Sequence, residues 1–422
     1  MKKPLLTEES IPEFLLFNYG IKADQVVKID RGVMSSSYKV SSGDKHYFLK
    51  EPLNSISKKY IEDESCLLCF LRSKMIPVAE FMETTEGAHY VDCGDRLVTV
   101  QEFIDGNEYK AHKAPDELYL PSMEMLGKIN AALKDYDLKI RRGWSKESCE
   151  NYDENSIIQT LQACLSQIEE LNLSDDRLAR AKAVIQQTIE IQPRVKKYGA
   201  YQKYVTYSST HGDYHVGNLI YHRTAGEEEI VGVVDCSSSC SMPVSYNLLR
   251  FYLRFDPRCA RSNFVDTAKL IEGLKRYTIH APLTYHDYRL MPYVYLHIVG
   301  RILMPLRIRR CINHIVHDNE DLARRELRGA LWLIRMFRYL DNNAGRMSKE
   351  LARHYKSTLC KEKLIMHKRF VSQFENQEDM KLLRKQEKII ASKRIFRILV
   401  PSPVRKLIKM VLPKRFRKIL ES

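Results

Sequence analysis

The sequence predicts an α+β fold of two lobes, a small β-rich N-lobe and a larger, mostly helical C-lobe, followed by a basic helical C-terminal tail. Three observations predict it. Strand-like segments separated by small-residue turns crowd into residues 26–50. From Pro121 onward apolar residues recur at helical spacing. Between the helical segments stands one β-prone stretch, residues 204–235, with a dense set of polar groups: HGDYHVGN at residues 211–218, then IVGVVD ending at Asp235.

A chain of 422 residues is long enough for two or three lobes with cores of their own. With 44% hydrophobic and 29% charged residues it reads as folded and globular rather than disordered. Its first residues, Met1-Lys2-Lys3-Pro4, are basic but lead into no apolar core of signal-peptide length. The most apolar run, residues 294–306, is interrupted by Arg301, so no membrane span is expected. Ten cysteines are scattered without a framework, which fits a cytoplasmic, reducing setting. The net charge of +15 is unevenly placed: residues 381–422 hold 14 Lys and Arg against 2 acids, so the body is nearly neutral.

In chain order, Thr7-Glu8-Glu9-Ser10 starts a helix over residues 11–19 that Gly20 ends. Residues 26–30 read as a strand, residues 31–37 as a small-residue turn and residues 38–40 as the returning strand. After Ser42-Gly43-Asp44, residues 47–50 form a third strand. This order suits a lid over a nucleotide, because small residues such as Gly32, Ser35 and Ser36 let backbone N–H groups approach phosphates. A plain hairpin explains the same loop, which holds one glycine. Residues 59–73 read as an amphipathic helix with Glu62, Asp63 and Glu64 near its start, where acids also simply favour a helix N-terminus. Cys66 and Cys69 lie in this helix with no second Cys/His pair to complete a zinc site, so they are expected as buried thiols. A hairpin follows around Cys93-Gly94-Asp95. Helices are then expected over residues 123–133, 155–171, 174–191, 245–255, 263–279, 285–312 and 319–340. The expected division is an N-lobe over residues 1–105, a helical lobe over 106–345 and a tail over 346–422.

The central motif reads as loop, strand, turn, strand. Residues 204–207 are β-prone and end before His211, residues 219–221 and 230–234 form a pair of strands, and the turn between them holds Gly226. Such a hairpin brings Asp235 back beside Asn218. Two carboxylates and an amide close together suit magnesium-dependent phosphoryl transfer, in which an acid faces the attacking hydroxyl and oxygen ligands hold the metal on the phosphates. An ordinary Asp/Asn-rich turn uses the same residue types. His215 is expected to stabilise the loop rather than act as a base.

H-G-D-x-x-x-x-N followed by V-V-D resembles the catalytic loop and metal-binding aspartate of the aminoglycoside phosphotransferase and choline kinase group, a branch of the protein-kinase-like fold. The resemblance covers roughly residues 20–340. It implies that Asp213 orients or deprotonates an acceptor hydroxyl and that Asn218 and Asp235 bind Mg²⁺. It implies that the loop with Gly32, Ser35 and Ser36 covers ATP and that Lys50 contacts its α- and β-phosphates. Glu64 would pair with Lys50, and the backbone of Glu102 and Ile104, in the hinge Val100-Gln101-Glu102-Phe103-Ile104-Asp105-Gly106, would bind adenine. The acceptor implied is a hydroxyl of a small molecule or sugar. Two positions depart from the family pattern: Asn247 stands where an aspartate is usual, and Cys236-Ser237-Ser238-Ser239-Cys240 follows the metal-binding aspartate. A catalytically inactive, kinase-like scaffold or coat-type protein is therefore the rival expectation.

The tail is broken by Pro401, Pro403 and Pro413 into short segments. In one of them Val404, Leu407, Ile408, Val411 and Leu412 share a face opposite Arg405, Lys406 and Lys409. Short basic amphipathic helices suit an anionic membrane surface, which would place the protein at the inner membrane face with an envelope glycan or lipid-linked precursor as acceptor. A docking helix for a protein partner fits the same pattern. Nucleic acid ranks last, because Phe396 and Phe416 are the only aromatics in residues 381–422, which is thin for base stacking.

Overall fold

The computed structural model describes residues 4–29, 35–53, 56–138, 153–170, 176–224, 227–317 and 319–358. The chain divides into a body, Met1–His354, and a segment, Tyr355–Ser422, whose described part is residues 355–358. The loop residues 30–34, with Gly32, the turn residue Gly226 and residues 359–422 of the tail fall outside the described residues.

Helix α1, Ile11–Tyr19, ends where Gly20 takes a left-handed φ of 64° and its N–H donates to the Leu16 carbonyl. Strands β1 (Gln25–Ile29), β2 (Ser35–Ser42), β3 (Lys45–Pro52), β4 (Val91–Asp92) and β5 (Leu97–Glu102) form an antiparallel sheet in the order β1-β2-β3-β5-β4. Side chains alternate across this sheet. Tyr38, Val40, Tyr47, Leu49, Val98 and Val100 cover α1 to make the N-lobe core. On the same face as Leu49, Glu51 is fully buried, pairs with the buried Arg96 and accepts the Leu5 and Leu6 amides at 2.8 and 3.2 Å. Lys50, one residue earlier, points to the opposite face.

Helix α2, Lys58–Ser73, is capped by Ser57, whose Oγ accepts the Tyr60 amide at 3.2 Å. Its buried face is Ile61, Glu64, Ser65, Leu67, Leu68 and Leu71. Cys66 and Cys69, expected inside, are exposed, because at helical spacing both fall on the side away from Leu67, Leu68 and Leu71. Helices α3 (Tyr119–Ala132), α4 (Glu154–Glu170), α5 (Asp176–Glu190) and α6 (Gln192–Gly199) follow. Strand β6 (Tyr207–Thr210) pairs with β9 (Cys240–Pro243), and β7 (Leu219–Thr224) pairs with β8 (Glu227–Val233). The β6 strand starts later than its apolar residues indicate, because residues Gln202–Tyr204 form a 3₁₀ turn.

The remaining helices are α7 (Val244–Phe255), α8 (Pro257–Arg261), α9 (Thr267–Tyr277), α10 (Tyr285–Ile298), α11 (Met304–Val316) and α12 (Glu320–Thr358). The helix expected over residues 285–312 is interrupted by a π turn, Val299–Leu303, and the Gly300 carbonyl accepts from the Gln192 amide at 3.3 Å. Helix α12 does not stop at Leu340. Asp341 is taken by Arg194 and Tyr198 of α6, and Ala344, Met347, Leu351 and Ala352 are buried, so the helix continues to Thr358. The inserted pair α4 and α5 packs Leu161, Cys164, Val184 and Ile185 against Ile308, Cys311 and Ile312 of α11 and Leu327 of α12. Among the described residues no helix is long and apolar enough to cross a membrane. The architecture is the kinase-like one: an antiparallel N-lobe sheet on a helical C-lobe.

Candidate active site

The catalytic-loop motif runs from the end of β6 to the start of β7. His211 is buried, and its Nε2 lies 2.8 Å from the Val234 carbonyl. A carbonyl only accepts, so the proton sits on Nε2, and Nδ1 receives the Asp213 amide at 3.4 Å. Burial pushes the His211 pKa down, so the ring is neutral and fixes the loop against β8. Gly212 has a φ of 80°, and a Cβ there would stand 1.7 Å from the Ser238 carbonyl oxygen. Only glycine fits at this turn.

Asn218 and Asp235 meet through strand register. Leu219 pairs with Val233, and the Val234 N–H donates to the Asn218 carbonyl at 3.0 Å, so Asp235 is the next residue along. The Asn218 Nδ2 donates to the Asp213 carbonyl at 3.0 Å, which leaves Oδ1 as its free ligand atom. Asp235 has φ 60° and ψ 49°, a left-handed conformation that Asp tolerates better than most residues. Its Oδ1 accepts the Ser237 hydroxyl at 3.0 Å and lies 3.5 Å from Lys50 Nζ. Burial raises the Asp235 pKa, but Lys50, His211 and the Ser237 hydroxyl together outweigh it, so the carboxyl is held below its ordinary range. One carboxylate and one amide oxygen fit Mg²⁺, which keeps several waters and phosphate oxygens of its own. Among the described residues no group of three or more His, Cys, Asp or Glu offers a fuller cage.

Lys50 reaches this point from the N-lobe. Ser37 and Thr99 stand directly across from it in β2 and β5, so all three share one face. Ser35 lies on that face too, its hydroxyl 3.5 Å from that of Ser37. Ser36 pairs with Glu51 and turns its side chain to the other face, so its backbone alone remains for a phosphate. Glu64 is buried on α2, near enough that its charge, with that of Asp235, adds to burial in raising the Cys236 thiol pKa, while Lys50 works the other way. These three charges therefore lie around Cys236, and Lys50 is paired with the Asp235 carboxylate. The Glu102 carboxylate is held by Arg72, and its amide by the Glu80 carbonyl. Ile104 packs its side chain over Gly232 of β8. Beside it Gly106 has no room for a Cβ, which would stand 2.7 Å from the Tyr221 carbonyl oxygen, and Asn107 pairs with Tyr221 through both backbone bonds at 2.7 and 2.9 Å. The hinge segment is thereby stitched to β7.

The Asp213 carboxylate has neighbours that motif reading missed. Its Oδ1 accepts from Arg250, and Arg254 lies 3.8 Å from the same oxygen. His215 Nε2 lies 3.6 Å from Oδ2, while its Nδ1 accepts the Gly217 amide at 3.0 Å, so His215 does stabilise the loop. Burial favours the neutral acid, but His215 and Arg250 outweigh it and hold Asp213 far below the usual carboxylate range. Burial, then Arg250, pushes the Arg254 pKa down to about 10. Arg250 and Arg254 stand four apart on α7, a spacing visible in the sequence, but nothing there says that this helix face meets Asp213. Asn247, one turn earlier, is buried and donates to the Thr210 hydroxyl at 2.9 Å, tying α7 to the strand that leads into His211. Lys50, Asp213 and Asp235 are each 31–43% exposed, so the group is open to a ligand.

Comparison with known proteins agrees with this fold. Spectinomycin phosphotransferase APH(9)-Ia, solved with ADP and spectinomycin, is 15% identical and superposes with a TM-score of 0.51 over 82% of this chain and 99% of its own. A microcompartment-associated aminopropanol kinase is 17% identical, with a TM-score of 0.51 over 80% and 98%. An aminoglycoside phosphotransferase from Alicyclobacillus acidocaldarius is 14% identical, with a TM-score of 0.50 over 82% and 98%. No curated protein matches the sequence. Residues 25–273, more than half of the chain and all of the site just described, match the phosphotransferase enzyme family, and the chain belongs to that family.

Proposed function

We propose that the protein transfers the γ-phosphate of ATP, with Mg²⁺, to a hydroxyl of a small molecule or sugar. The observation that carries this reading is the grouping of the part-exposed Lys50, Asp235 and Asp213 around the buried Asn218 in a chain of the phosphotransferase enzyme family. The ADP held by the spectinomycin phosphotransferase supports an adenine nucleotide. When bound, Mg²⁺ would offset the charge of the phosphates. Asn218 Oδ1 and the Asp235 carboxylate would hold it. Lys50 binds the α- and β-phosphates, with Glu64 behind it, and the backbone of Ser35 and Ser36 faces them. The backbone of Glu102 and Ile104 takes the adenine edge. Asp213 stays ionised and one of its oxygens is already engaged by Arg250, so Oδ2 receives the acceptor O–H. It orients the hydroxyl and takes its proton late, as suits a loose transition state.

The basic tail supports a narrower reading, an acceptor met at an anionic membrane surface, such as an envelope glycan or lipid-linked precursor. Deleting residues 391–422 should release the protein from anionic liposomes; unchanged flotation would refute it. A non-catalytic scaffold is the second reading, favoured by the neutral Asn247 and by the engagement of Asp213 with Arg250. A thermal melt separates the two. Mg²⁺·ATP at 100 times its Kd should add about 2.7 kcal/mol to wild type and nothing to Asp235→Ala. An absent shift in wild type favours the scaffold.

A further inference from the structure

Arg250 and Arg254 lie one turn apart on α7 and share a single carboxylate. Arg250 bonds Asp213 Oδ1, and Arg254 stands 3.8 Å from that oxygen. The other charges bearing most strongly on Arg254 are Arg250 and Arg307, both positive, and Arg307 is engaged by Glu326 at 2.9 Å. Arg250 Nη1 is buried without a hydrogen-bond partner among the described residues. The helix end that carries Arg254 is pinned: the Arg254 carbonyl accepts the His112 amide at 2.9 Å, and the His112 ring meets Trp332 edge-on with centroids 5.8 Å apart. On the nucleotide side the cation facing Asp235 is Lys50. The two arginines therefore belong to the acceptor side, and one carboxylate leaves them with an excess of positive charge.

A hydroxyl arriving at Asp213 enters this field. An acceptor rich in ammonium groups would be repelled from it, whereas a phosphate or carboxylate matches the guanidinium fork in charge and geometry. We propose that the acceptor is anionic, a hydroxyl compound carrying a phosphate or carboxylate a few bonds from the reacting oxygen, with Arg250 and Arg254 binding that group while Asp213 receives the hydroxyl. In the ligand-free chain Asp213 fills part of the anion's place. This inference rests on the phosphotransferase reading for the role of Asp213.

The test is calorimetric titration of the full-length protein with inorganic phosphate, after Mg²⁺·AMP-PNP has filled every nucleotide phosphate position. Wild type should bind phosphate, Arg254→Gln should bind it at least tenfold more weakly, and Arg254→Lys should recover part of the loss. Acetate in place of phosphate distinguishes the two anion chemistries by the tighter binder. Unchanged Mg²⁺·AMP-PNP affinity in Arg254→Gln shows that the variant is folded. Absence of phosphate and acetate binding to nucleotide-loaded wild type, or equal binding by Arg254→Gln, overturns the proposal. If wild type binds no Mg²⁺·AMP-PNP, the phosphotransferase reading fails separately, and anion titration of the free protein across the same variants still decides the arginine site.

Discussion

The proposed nucleotide side of the site and the proposed acceptor side are built in different ways. Lys50, Asn218 and Asp235 are placed by main-chain register: Lys50 by its pairing with Ser37 and Thr99, and Asp235 by the β7–β8 ladder that sets Val234 against Asn218. Arg250 and Arg254 are placed by the packing of α7, whose orientation depends on Asn247 bonding Thr210, on His112 at the Arg254 carbonyl, and on Asp256 at its end. Strand register sets which residues stand across from Lys50 and Asn218 through main-chain hydrogen bonds. The helix is placed by side-chain and loop contacts, such as Asn247 with Thr210. The side set by register can keep one chemistry across a family, while the side set by packing can change with a few substitutions.

Gly212→Ala probes the hinge between the two sides and should have the largest effect. The added Cβ collides with the Ser238 carbonyl oxygen at a φ of 80°. A loss of about 3 kcal/mol or more is expected in denaturant unfolding, together with loss of both nucleotide and anion binding. Lys50→Met should break one side alone, weakening Mg²⁺·ATP by up to about 100-fold, or about 2.7 kcal/mol, with anion binding at the arginines intact in the same calorimeter.

Asp256 sharpens the other side. It ends α7, caps α8 through the Arg258 amide at 2.9 Å, and pairs with Arg258 and Lys269. Burial raises its pKa, but Arg258, the capping amide and Lys269 bring it down to about 2. A carboxyl whose folded pKa is depressed stabilises the protein above its unfolded pKa, about 3.9, and loses that contribution as pH falls toward 2. Wild type should therefore lose on the order of 2 kcal/mol between about pH 5 and pH 2 from this group, and Asp256→Asn should be less stable at pH 7 with a flatter acid limb in urea melts. The smallest effect is expected for Ser237→Ala. Removing the hydroxyl bonded to Asp235 Oδ1 should cost about 1 kcal/mol, read as a roughly fivefold higher Mg²⁺ requirement for ATP binding.

Much of the architecture was legible because local signals agreed with it. Gly20 ended α1 where its left-handed φ requires. The spacing from Asn218 to Asp235 foretold a hairpin that returns one to the other. Three features escaped local reading. Helix α12 runs past Asp341 because Arg194 and Tyr198 satisfy that acid from another helix. Cys66 and Cys69 proved exposed because they lie off the face of Leu67, Leu68 and Leu71, and a thiol's preference for the interior does not by itself decide its position. Arg250 and Arg254 belong to no motif in the sequence, and only tertiary packing puts them on Asp213.

The central claim is that the two sides bind separate ligands around one shared carboxylate. The most direct measurement is calorimetric titration of Mg²⁺·ATP into wild type, Asp235→Ala and Arg254→Gln. The account predicts binding to wild type, no binding to Asp235→Ala, and wild-type affinity for Arg254→Gln. Equal loss in both variants would place the arginine on the nucleotide and contradict the division, and undiminished binding to Asp235→Ala would contradict the metal site itself.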